Sequence, residues 1–405
     1  MQGRWAQMKR ASMHRQVAVL ASAQALFQTV SVLVMTVGGL AGAQLTAQAD
    51  LATLPIATMF LGTAVAMFPA STFMAKFGRR AGFMLGAFLG VLAGLVAALG
   101  IWLGSMPILA LGTFFAGTYQ AFAQFYRFAA SEIADDTFRP KAISLVLAGG
   151  IVAALLGPTL AHYGGDLLGP LYMGSFVLLS VVSALGMCVL AFLRMPPAQA
   201  APVNTCRGRS WAAIVTQPTY LVALFGALTG YGIMILAMTA TPLAMIHHDH
   251  SLSTAATVIQ LHVLGMFLPS FFTGAIISRI GALWVMLLGL VFLTLHVVTT
   301  FSGLGFSSFA LALALLGIGW NFLFIGGTTL LTTTYAPEEK SRAQATNDMV
   351  IFAVGLSCSF GAGGLLNIFG WQTLNVMLLP WLGCAALAII WLLYANRRIR
   401  VAAQI

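Results

Sequence analysis

The sequence predicts an all-α membrane protein with twelve transmembrane helices in two pseudo-symmetric bundles of six. Three observations support this fold class: the composition, the spacing of long apolar runs, and a repeat between the two halves of the chain. Of the 405 residues, 60% are hydrophobic and only 7% are charged, whereas soluble domains carry about 25% charged residues. Disordered chains are polar and highly charged, so the same composition excludes disorder.

The apolar runs are each long enough to cross a bilayer, which takes ~20 residues of helix. Membrane β-strands would instead give ~10-residue segments of alternating polarity, which this pattern does not match. The first run is longer than the about 7–15 apolar residues of a signal-peptide core, so it is interpreted as a membrane helix. The predicted spans are 17–39, 52–74, 81–103, 106–130, 142–163, 169–193, 217–244, 253–276, 282–302, 305–332, 343–366 and 371–394.

The basic residues predict the orientation of these spans. Eighteen of the nineteen Lys and Arg residues lie in the two termini or in every second connection, which places them on one side of the bilayer. Only Arg127 lies inside a predicted span. Because cytoplasmic segments are enriched in Lys and Arg, both termini are expected in the cytoplasm. The net charge of +10 therefore requires no nucleic-acid partner.

The longest connection between spans, residues 194–216, divides the chain into two halves. It is rich in proline and basic residues and is predicted to be a cytoplasmic linker between bundles at 1–193 and 217–405. The halves also repeat, because the basic tetrapeptide at 139–142 recurs at 340–343, an offset of 201 residues. Two parallel repeats of six helices are typical of one large class of secondary transporters.

The connection after the second span carries a recognisable motif. Residues 71–80 are STFMAKFGRR and resemble the G-x-x-x-D-R-x-G-R-R signature of the major facilitator superfamily, with Ser71 and Ala75 at the glycine and aspartate positions. A second copy at 274–281 keeps both glycines and one arginine. The resemblance covers essentially the whole chain. It implies the major facilitator fold and a carrier rather than an enzyme.

Two pairs of metal-ligating side chains lie on consecutive predicted helices. Met234 and Met238 are four residues apart, as are His262 and Met266, so each pair shares one helix face. At ~1.5 Å per residue, all four lie near the middle of the bilayer, where such carriers hold their substrates. Thioether and imidazole ligands are neutral and suit Cu(I). Packing of the methionines as apolar filler is the alternative interpretation.

The same four residues resemble the metal-binding motifs of the CcoA-type copper importers of this superfamily. The resemblance implies location in the bacterial cytoplasmic (inner) membrane and import of copper, expected as Cu(I), by alternating access. That copper would supply assembly of the cbb-type cytochrome oxidase. Copper is then the transported substrate, and no cofactor is expected. The expected partners are the copper ion, the lipid bilayer and a cytoplasmic copper chaperone, and the carrier is expected to be a monomer.

A histidine-rich segment follows the seventh span. Met245, His247, His248 and His250 lie in the predicted outer connection. The outer connections contain aspartates and no Lys or Arg, so this side attracts cations weakly. One interpretation is a metal-capture site that leads towards the middle of the membrane. The other is a polar turn in which the histidines have no function.

The few ionisable residues near the inner ends of the spans also have two interpretations. They can form an ion-pair network that closes a cytoplasmic gate, with Asp348 contacting the basic connection after the second span. They can instead carry coupling protons. The gate is favoured because none of them is expected at midplane depth. The residues concerned are Lys76, Arg79, Arg80, Arg127, Glu132 and Asp348.

Three functions stay open alongside these motifs. Import of copper is the favoured function of the three. The alternative is a proton-coupled carrier of a small organic molecule or metal chelate, such as a drug exporter or siderophore-type importer. The third is a membrane metal sensor or assembly factor that transports nothing. Direct use of ATP is not expected, since the chain contains no G-x-x-x-x-G-K-[ST] motif. The four cysteines, including Cys206, form no ligand pattern. His296 either bonds a backbone carbonyl or belongs to the transport pathway.

Overall fold

The structure, a computed structural model, describes residues 2–46, 54–195 and 209–402, and all regular secondary structure in these ranges is helical. The all-α prediction is confirmed. Most of the predicted linker, including Cys206, lies outside the described residues. Ten helical stretches of the described chain are long and apolar enough to cross a membrane.

The helices of the first half are α1 (Gln2–Leu45), α2 (Leu54–Phe77), α3 (Arg79–Trp102), α4 (Met106–Ala123), α5 (Tyr126–Ile133), α6 (Arg139–Ala148), α7 (Gly150–Gly165) and α8 (Met173–Ala191). Those of the second half are α9 (Trp211–Val215), α10 (Pro218–His247), α11 (Leu252–Phe267), α12 (Ser270–Ile280), α13 (Ala282–Thr299), α14 (Phe306–Leu331), α15 (Lys340–Val376) and α16 (Leu379–Ala402).

Three predicted spans are each formed by two helices in sequence, namely α4 with α5, α6 with α7, and α11 with α12. The break between α11 and α12 falls at Leu268 and Pro269, because proline has no N–H to donate and its ring clashes with the preceding turn. At the C-terminus, in contrast, two predicted spans lie in one continuous helical stretch. One apolar stretch of 57 residues, Lys340–Asn396, contains the last two predicted spans.

The two spans in that stretch are separated at Gly370, which has a φ of 72° inside α15. Glycine adopts this conformation without steric cost, so the chain changes direction here. The stretch therefore accounts for two of the twelve predicted spans. The fourth predicted span, formed by α4 and α5, is not among the ten, and together these two differences explain the lower count.

Helices α2 and α4 approach each other closely at two glycines. A Cβ atom on Gly117 would overlap the carbonyl oxygen of Met59, and one on Gly62 would overlap the backbone of α4. Small residues permit this approach between membrane helices. Thr63 joins the same helices by donating hydrogen bonds to the Gly117 carbonyl oxygen (3.0 Å) and to Oε1 of Gln120 (3.1 Å).

A corresponding polar contact occurs in the second half. Asn321 of α14 lies 201 residues after Gln120, the same offset as the basic tetrapeptide. Its Oδ1 accepts a hydrogen bond from Thr273 of α12 (2.6 Å), and its Nδ2 donates to the carbonyl oxygen of Met266 at the end of α11 (2.6 Å). The amide thereby stabilises the break between α11 and α12. The sequence repeat thus places an amide side chain that accepts a threonine hydrogen bond at the same position of each half.

The contacts of the chain define two compact units. Unit 1 consists of Met1–Asp136, Leu145–Cys206 and Gln344–Phe352, and unit 2 of Thr137–Ser144, Arg207–Ala343 and Ala353–Ile405. Two short segments are therefore exchanged relative to the predicted halves. The beginning of the fifth span groups with unit 2, and an early segment of α15 groups with unit 1.

Candidate functional site

The interior of unit 2 contains four aromatic rings from three helices, which we name the aromatic cluster. Trp320 and Phe324 of α14 stack with their ring centroids 4.9 Å apart and an interplanar angle of 16°. Tyr231 of α10 lies 6.2 Å from Phe324, and Phe267 of α11 lies edge-on to Trp320 at 5.7 Å. None of the four is more than 9% exposed.

Glycines allow the three helices to meet around this cluster. A Cβ atom on Gly317 of α14 would lie 2.6 Å from the carbonyl oxygen of His262 and 2.7 Å from the backbone nitrogen of Met266. A Cβ atom on Gly230 of α10 would lie 3.0 Å from the side chain of Leu323. Gly317 and the stacked rings share one stripe of α14, because residues three, four and seven apart lie on the same helix face.

His262 lies on the side of α11 that faces α14. It is fully buried, and its Nδ1 lies 2.8 Å from the carbonyl oxygen of Leu313. Since a carbonyl oxygen can only accept, Nδ1 carries the hydrogen, and the neutral ring presents Nε2 as an acceptor. Nε2 is buried and has no hydrogen-bond partner within the described part of the chain.

A second unpaired polar atom lies on the same stripe of α14. Nε1 of Trp320 is buried and has no hydrogen-bond partner among the described residues, and the indole N–H is a donor only. Leu313 and Trp320 are two turns apart, or ~10.5 Å along the axis. Long side chains in helices generally point back towards the helix N-terminus, which for Trp320 is the direction of Leu313. One donor and one acceptor are therefore available beside the stacked rings.

The four predicted copper ligands lie on α10 and α11, the helices that supply Tyr231 and Phe267 to the aromatic cluster. Met234 is 3% exposed and lies one turn after Tyr231 on α10, whereas Met238 is half-buried. Met266 is 8% exposed and directly precedes Phe267. No group of three His, Cys, Asp or Glu side chains in the described ranges could hold a metal ion. A copper site here would depend on the thioethers, and it stays a prediction.

The histidine-rich segment differs from the sequence-based expectation. The prediction that Met245 and His247 lie in the outer connection is wrong, because α10 continues through His247. Met245 is fully buried in the hydrophobic core of unit 2. His250 is held by a hydrogen bond between its Nε2 and the Leu304 carbonyl oxygen (2.7 Å). His247 and His248 are exposed, and a capture role for the segment stays a prediction.

Two ion pairs of unit 1, one partly buried and one fully buried, involve residues of α5. Arg79, at the first residue of α3, donates to Oε1 of Glu132 in α5 (2.7 Å) and to Oε1 of Gln344 in α15 (2.6 Å). Arg127 of α5 pairs with Asp348 of α15 at 2.5 Å, and both side chains are at most 2% exposed. Interior charges are tolerated when they are paired in this way.

The partner of Asp348 is not the one expected from the sequence. The predicted contact with Lys76, Arg79 or Arg80 is wrong, because Gln344, one turn earlier in α15, takes the bond from Arg79. Arg80 instead donates to the carbonyl oxygen of Ala191 (2.7 Å). The ammonium group of Lys76 lies over the ring of Phe77 at 5.3 Å. A gating or coupling role for these residues stays a prediction.

Of the two interpretations of His296, the structure shows the bond to a backbone carbonyl. Its Nδ1 lies 2.8 Å from the carbonyl oxygen of Ala312, and its Nε2 lies 2.9 Å from Oδ1 of Asn375. His296 and His262 thus contact consecutive carbonyl groups of α14 from two different helices. Only His262 keeps a ring nitrogen that lacks a partner in the described structure.

The residue pattern does not predict the aromatic cluster. The only signal is that Trp320 and Phe324 lie four residues apart, which places them on one helix face. Aromatic pairs with this spacing are also common in ordinary cores. The sequence cannot predict that Trp320 Nε1 lacks a hydrogen-bond partner, because this depends on which groups α14 packs against.

Comparison with known proteins gives a family match and a similar transporter. A family model described as Major Facilitator Superfamily matches residues 19–268 and 222–403. The riboflavin transporter RfnT of Brucella anthropi is 40% identical over 369 residues, which cover 90% of this chain and 92% of that protein.

Solved transporter structures resemble the fold over nearly its full length. The fucose:proton symporter FucP of E. coli has a TM-score of 0.73 at 15% identity, covering 93% of this chain and 98% of that one. The human organic anion transporter MFSD10 (TETRAN) has a TM-score of 0.74 at 14% identity, covering 93% and 99%. At such low identities these similarities bear on the fold alone.

Proposed function

Because the chain belongs to the major facilitator superfamily, we propose that it is a carrier of riboflavin or a closely similar flavin across the bacterial cytoplasmic membrane. The protein is a multi-pass membrane carrier and not an enzyme. The observation that carries the proposal is the 40% identity with a riboflavin transporter over 90% of the chain. This function falls within the small-organic-molecule alternative considered for the sequence.

The aromatic cluster supports a flat substrate. The isoalloxazine ring system of a flavin is planar and heteroaromatic, and stacked or edge-on contacts with aromatic side chains favour such rings. Riboflavin carries no net charge at neutral pH, and the site offers two unpaired polar groups rather than an ionic partner. Ligand sites commonly combine apolar and aromatic walls with a few placed polar groups, and the aromatic cluster supplies both kinds of side chain.

Uptake in a riboflavin auxotroph that lacks its own transporter tests the proposal. Cells expressing the chain are expected to grow on low riboflavin and to accumulate labelled riboflavin with saturable kinetics. Phe324→Leu removes one stacking ring and should lower uptake, whereas the matched control Phe272→Leu, at a ring 64% exposed, should not. Absence of uptake by well-expressed wild-type protein would refute riboflavin as the substrate.

A second candidate substrate is copper, on the basis of one specific observation. His262 holds its ring by Nδ1 and leaves Nε2 buried and unpaired, which is the arrangement of a histidine ready to bind a metal. Together with Met234, Met238 and Met266 it would form the soft site expected from the sequence. Copper delivered in this way could pass to a cytoplasmic chaperone and to cbb-type oxidase assembly.

Copper accumulation in proteoliposomes separates the two substrates. If copper is carried, Met234→Leu and Met238→Leu should each reduce accumulation, since leucine keeps the volume and removes the sulfur. Met377→Leu, at a side chain 49% exposed, serves as the matched control. Wild-type protein that accumulates riboflavin but no copper would exclude the copper candidate.

A further inference from the structure

We infer that Trp320 Nε1 and His262 Nε2 together bind the imide edge of a planar heteroaromatic substrate, the indole donating to a ring carbonyl and the imidazole accepting from the ring N–H. The inference rests on the proposed function and assigns the polar contacts of that site. It also defines the substrate class more narrowly, as ring systems in which a carbonyl and an N–H are adjacent.

The direction of each hydrogen bond follows from the contacts of the two side chains. Nδ1 of His262 faces the carbonyl oxygen of Leu313 at 2.8 Å, which assigns the hydrogen to Nδ1 and the lone pair to Nε2. The indole N–H of Trp320 can only donate. The pair therefore offers one acceptor and one donor, which is the complement of an adjacent N–H and C=O.

The neighbouring amide of Asn321 is not available for this role. Its Nδ2 donates to the Met266 carbonyl oxygen and to Oγ of Ser270, both at 2.6 Å, and its Oδ1 accepts from Thr273 at 2.6 Å. Asn321 is thus committed to the break between α11 and α12. Nε2 of His262 and Nε1 of Trp320 supply an unpaired acceptor and an unpaired donor among the described residues of α11 and α14, where the hydroxyls of Thr328 and Thr329 are unpaired as well.

The position of the two atoms fits a ring that lies against the aromatic cluster. Trp320 supplies both the donor and one of the stacked rings, and Phe324 lies 4.9 Å beyond it. A planar ligand in contact with the indole therefore has its edge near Nε1. His262 of α11 is anchored at the carbonyl oxygen of Leu313, which lies two turns before Trp320 on that stripe of α14.

Pairing of these atoms predicts a marked selectivity. A site whose buried polar groups depend on substrate hydrogen bonds discriminates strongly against analogues that lack them, because those groups are then left unpaired. Methylation of the flavin imide nitrogen removes the donor and leaves the stacking surface intact. Wild-type protein should therefore bind N3-methylriboflavin at least about tenfold more weakly than riboflavin.

Three variants of the full chain in proteoliposomes test the assignment. His262→Asn keeps a donor at the Nδ1 position and removes the Nε2 acceptor, and Trp320→Phe keeps a stacking ring and removes the indole donor. Trp284→Phe, at a side chain 48% exposed, is the control for loss of a tryptophan. Binding and transport of both flavins are measured, and thermal unfolding checks that each variant is folded.

The expected result is that His262→Asn weakens riboflavin binding about tenfold and brings the preference for riboflavin over N3-methylriboflavin close to one. Trp320→Phe should weaken both ligands, and Trp284→Phe neither. A folded His262→Asn protein with the wild-type preference would overturn the inference. Equal transport of both flavins by wild-type protein would also overturn the inference, but it would leave the proposed riboflavin transport intact. Failure of wild-type protein to carry any flavin would refute the proposed function and the inference together.

Discussion

The buried pair of Arg127 and Asp348 shows how single charges are accommodated inside unit 1. Oδ1 of Asp348 accepts hydrogen bonds from Arg127 and from Nδ2 of Asn347, at 2.5 and 2.8 Å. Replacing Asp348 with alanine would leave a buried guanidinium without its carboxylate, which typically costs about 3–5 kcal/mol. We expect Asp348→Ala to lower the thermal unfolding midpoint in detergent far more than a surface substitution does.

A double variant is the control for that prediction. Arg127→Met combined with Asp348→Leu removes both charges and keeps apolar volume, so it should recover much of the lost stability. If the double variant is as unstable as Asp348→Ala, volume rather than unpaired charge is responsible. Arg127 and Asp348 would then stabilise the fold mainly through packing.

Outside the membrane, Glu339 shows the effect of a partner on a carboxyl group. Hydrogen bonds from the Arg209 guanidinium, above all, lower the pKa of Glu339 from 4.5 to about 2. A carboxyl whose pKa is lower in the folded state stabilises that state above the unfolded pKa and loses this contribution as the pH falls. The stabilisation by Glu339 should therefore be complete above about pH 4.5 and disappear towards pH 2.

Comparison with Glu339→Gln isolates this effect. The difference between the unfolding midpoints of wild type and variant should be constant from pH 7 to about 5 and should shrink as the pH falls further. Arg209→Gln should give the same pattern, because it removes the main donor. A difference that does not change between pH 7 and 3 would contradict the ion pair as its source.

Among the helices, the contact of α2 with α4 depends on backbone proximity rather than on side-chain size. A methyl group on Gly117 has no room beside the Met59 carbonyl oxygen, so Gly117→Ala should force the helices apart and destabilise unit 1. In contrast, a methyl group on Gly363 of α15 meets nothing within 4 Å. Gly363→Ala should be neutral or slightly stabilising, since alanine favours helix by about 1 kcal/mol.

Thermal unfolding of the two glycine variants checks this prediction directly. The expected order of midpoints is Gly363→Ala, at or just above wild type, followed well below by Gly117→Ala. Equal midpoints for the two variants would show that the close approach of α2 and α4 is not required for stability.

For the molecule as a whole, the distribution of basic residues predicts that both termini are cytoplasmic. A green fluorescent protein fused after Ile405 should therefore fluoresce. Alkaline phosphatase inserted after Gly303, in the connection between α13 and α14, should be active because it lies outside. The same enzyme inserted after Gly78 should be inactive. Active phosphatase at Gly78 would contradict the predicted orientation.

The candidate site was only partly accessible from the sequence. The sequence identifies the charged residues near the inner ends of the spans but predicts the wrong partner for Asp348, because the uncharged Gln344 gives no electrostatic signal that it bonds Arg79. His262 was singled out because an imidazole inside a membrane is costly. The sequence could not show that its Nδ1 bonds the Leu313 carbonyl and that Nε2 stays unpaired.

The number, order and approximate limits of the spans follow from the sequence, because crossing a bilayer requires long apolar segments whatever their partners are. The internal repeat and the family also follow from the sequence, because both are properties of residue order along the chain. The aromatic cluster, the pairing of Arg127 with Asp348 and the burial of Met245 depend on tertiary structure. Glycines set the distance between helices and side chains set their rotation, so these contacts arise only when α10, α11 and α14, or α5 and α15, pack together.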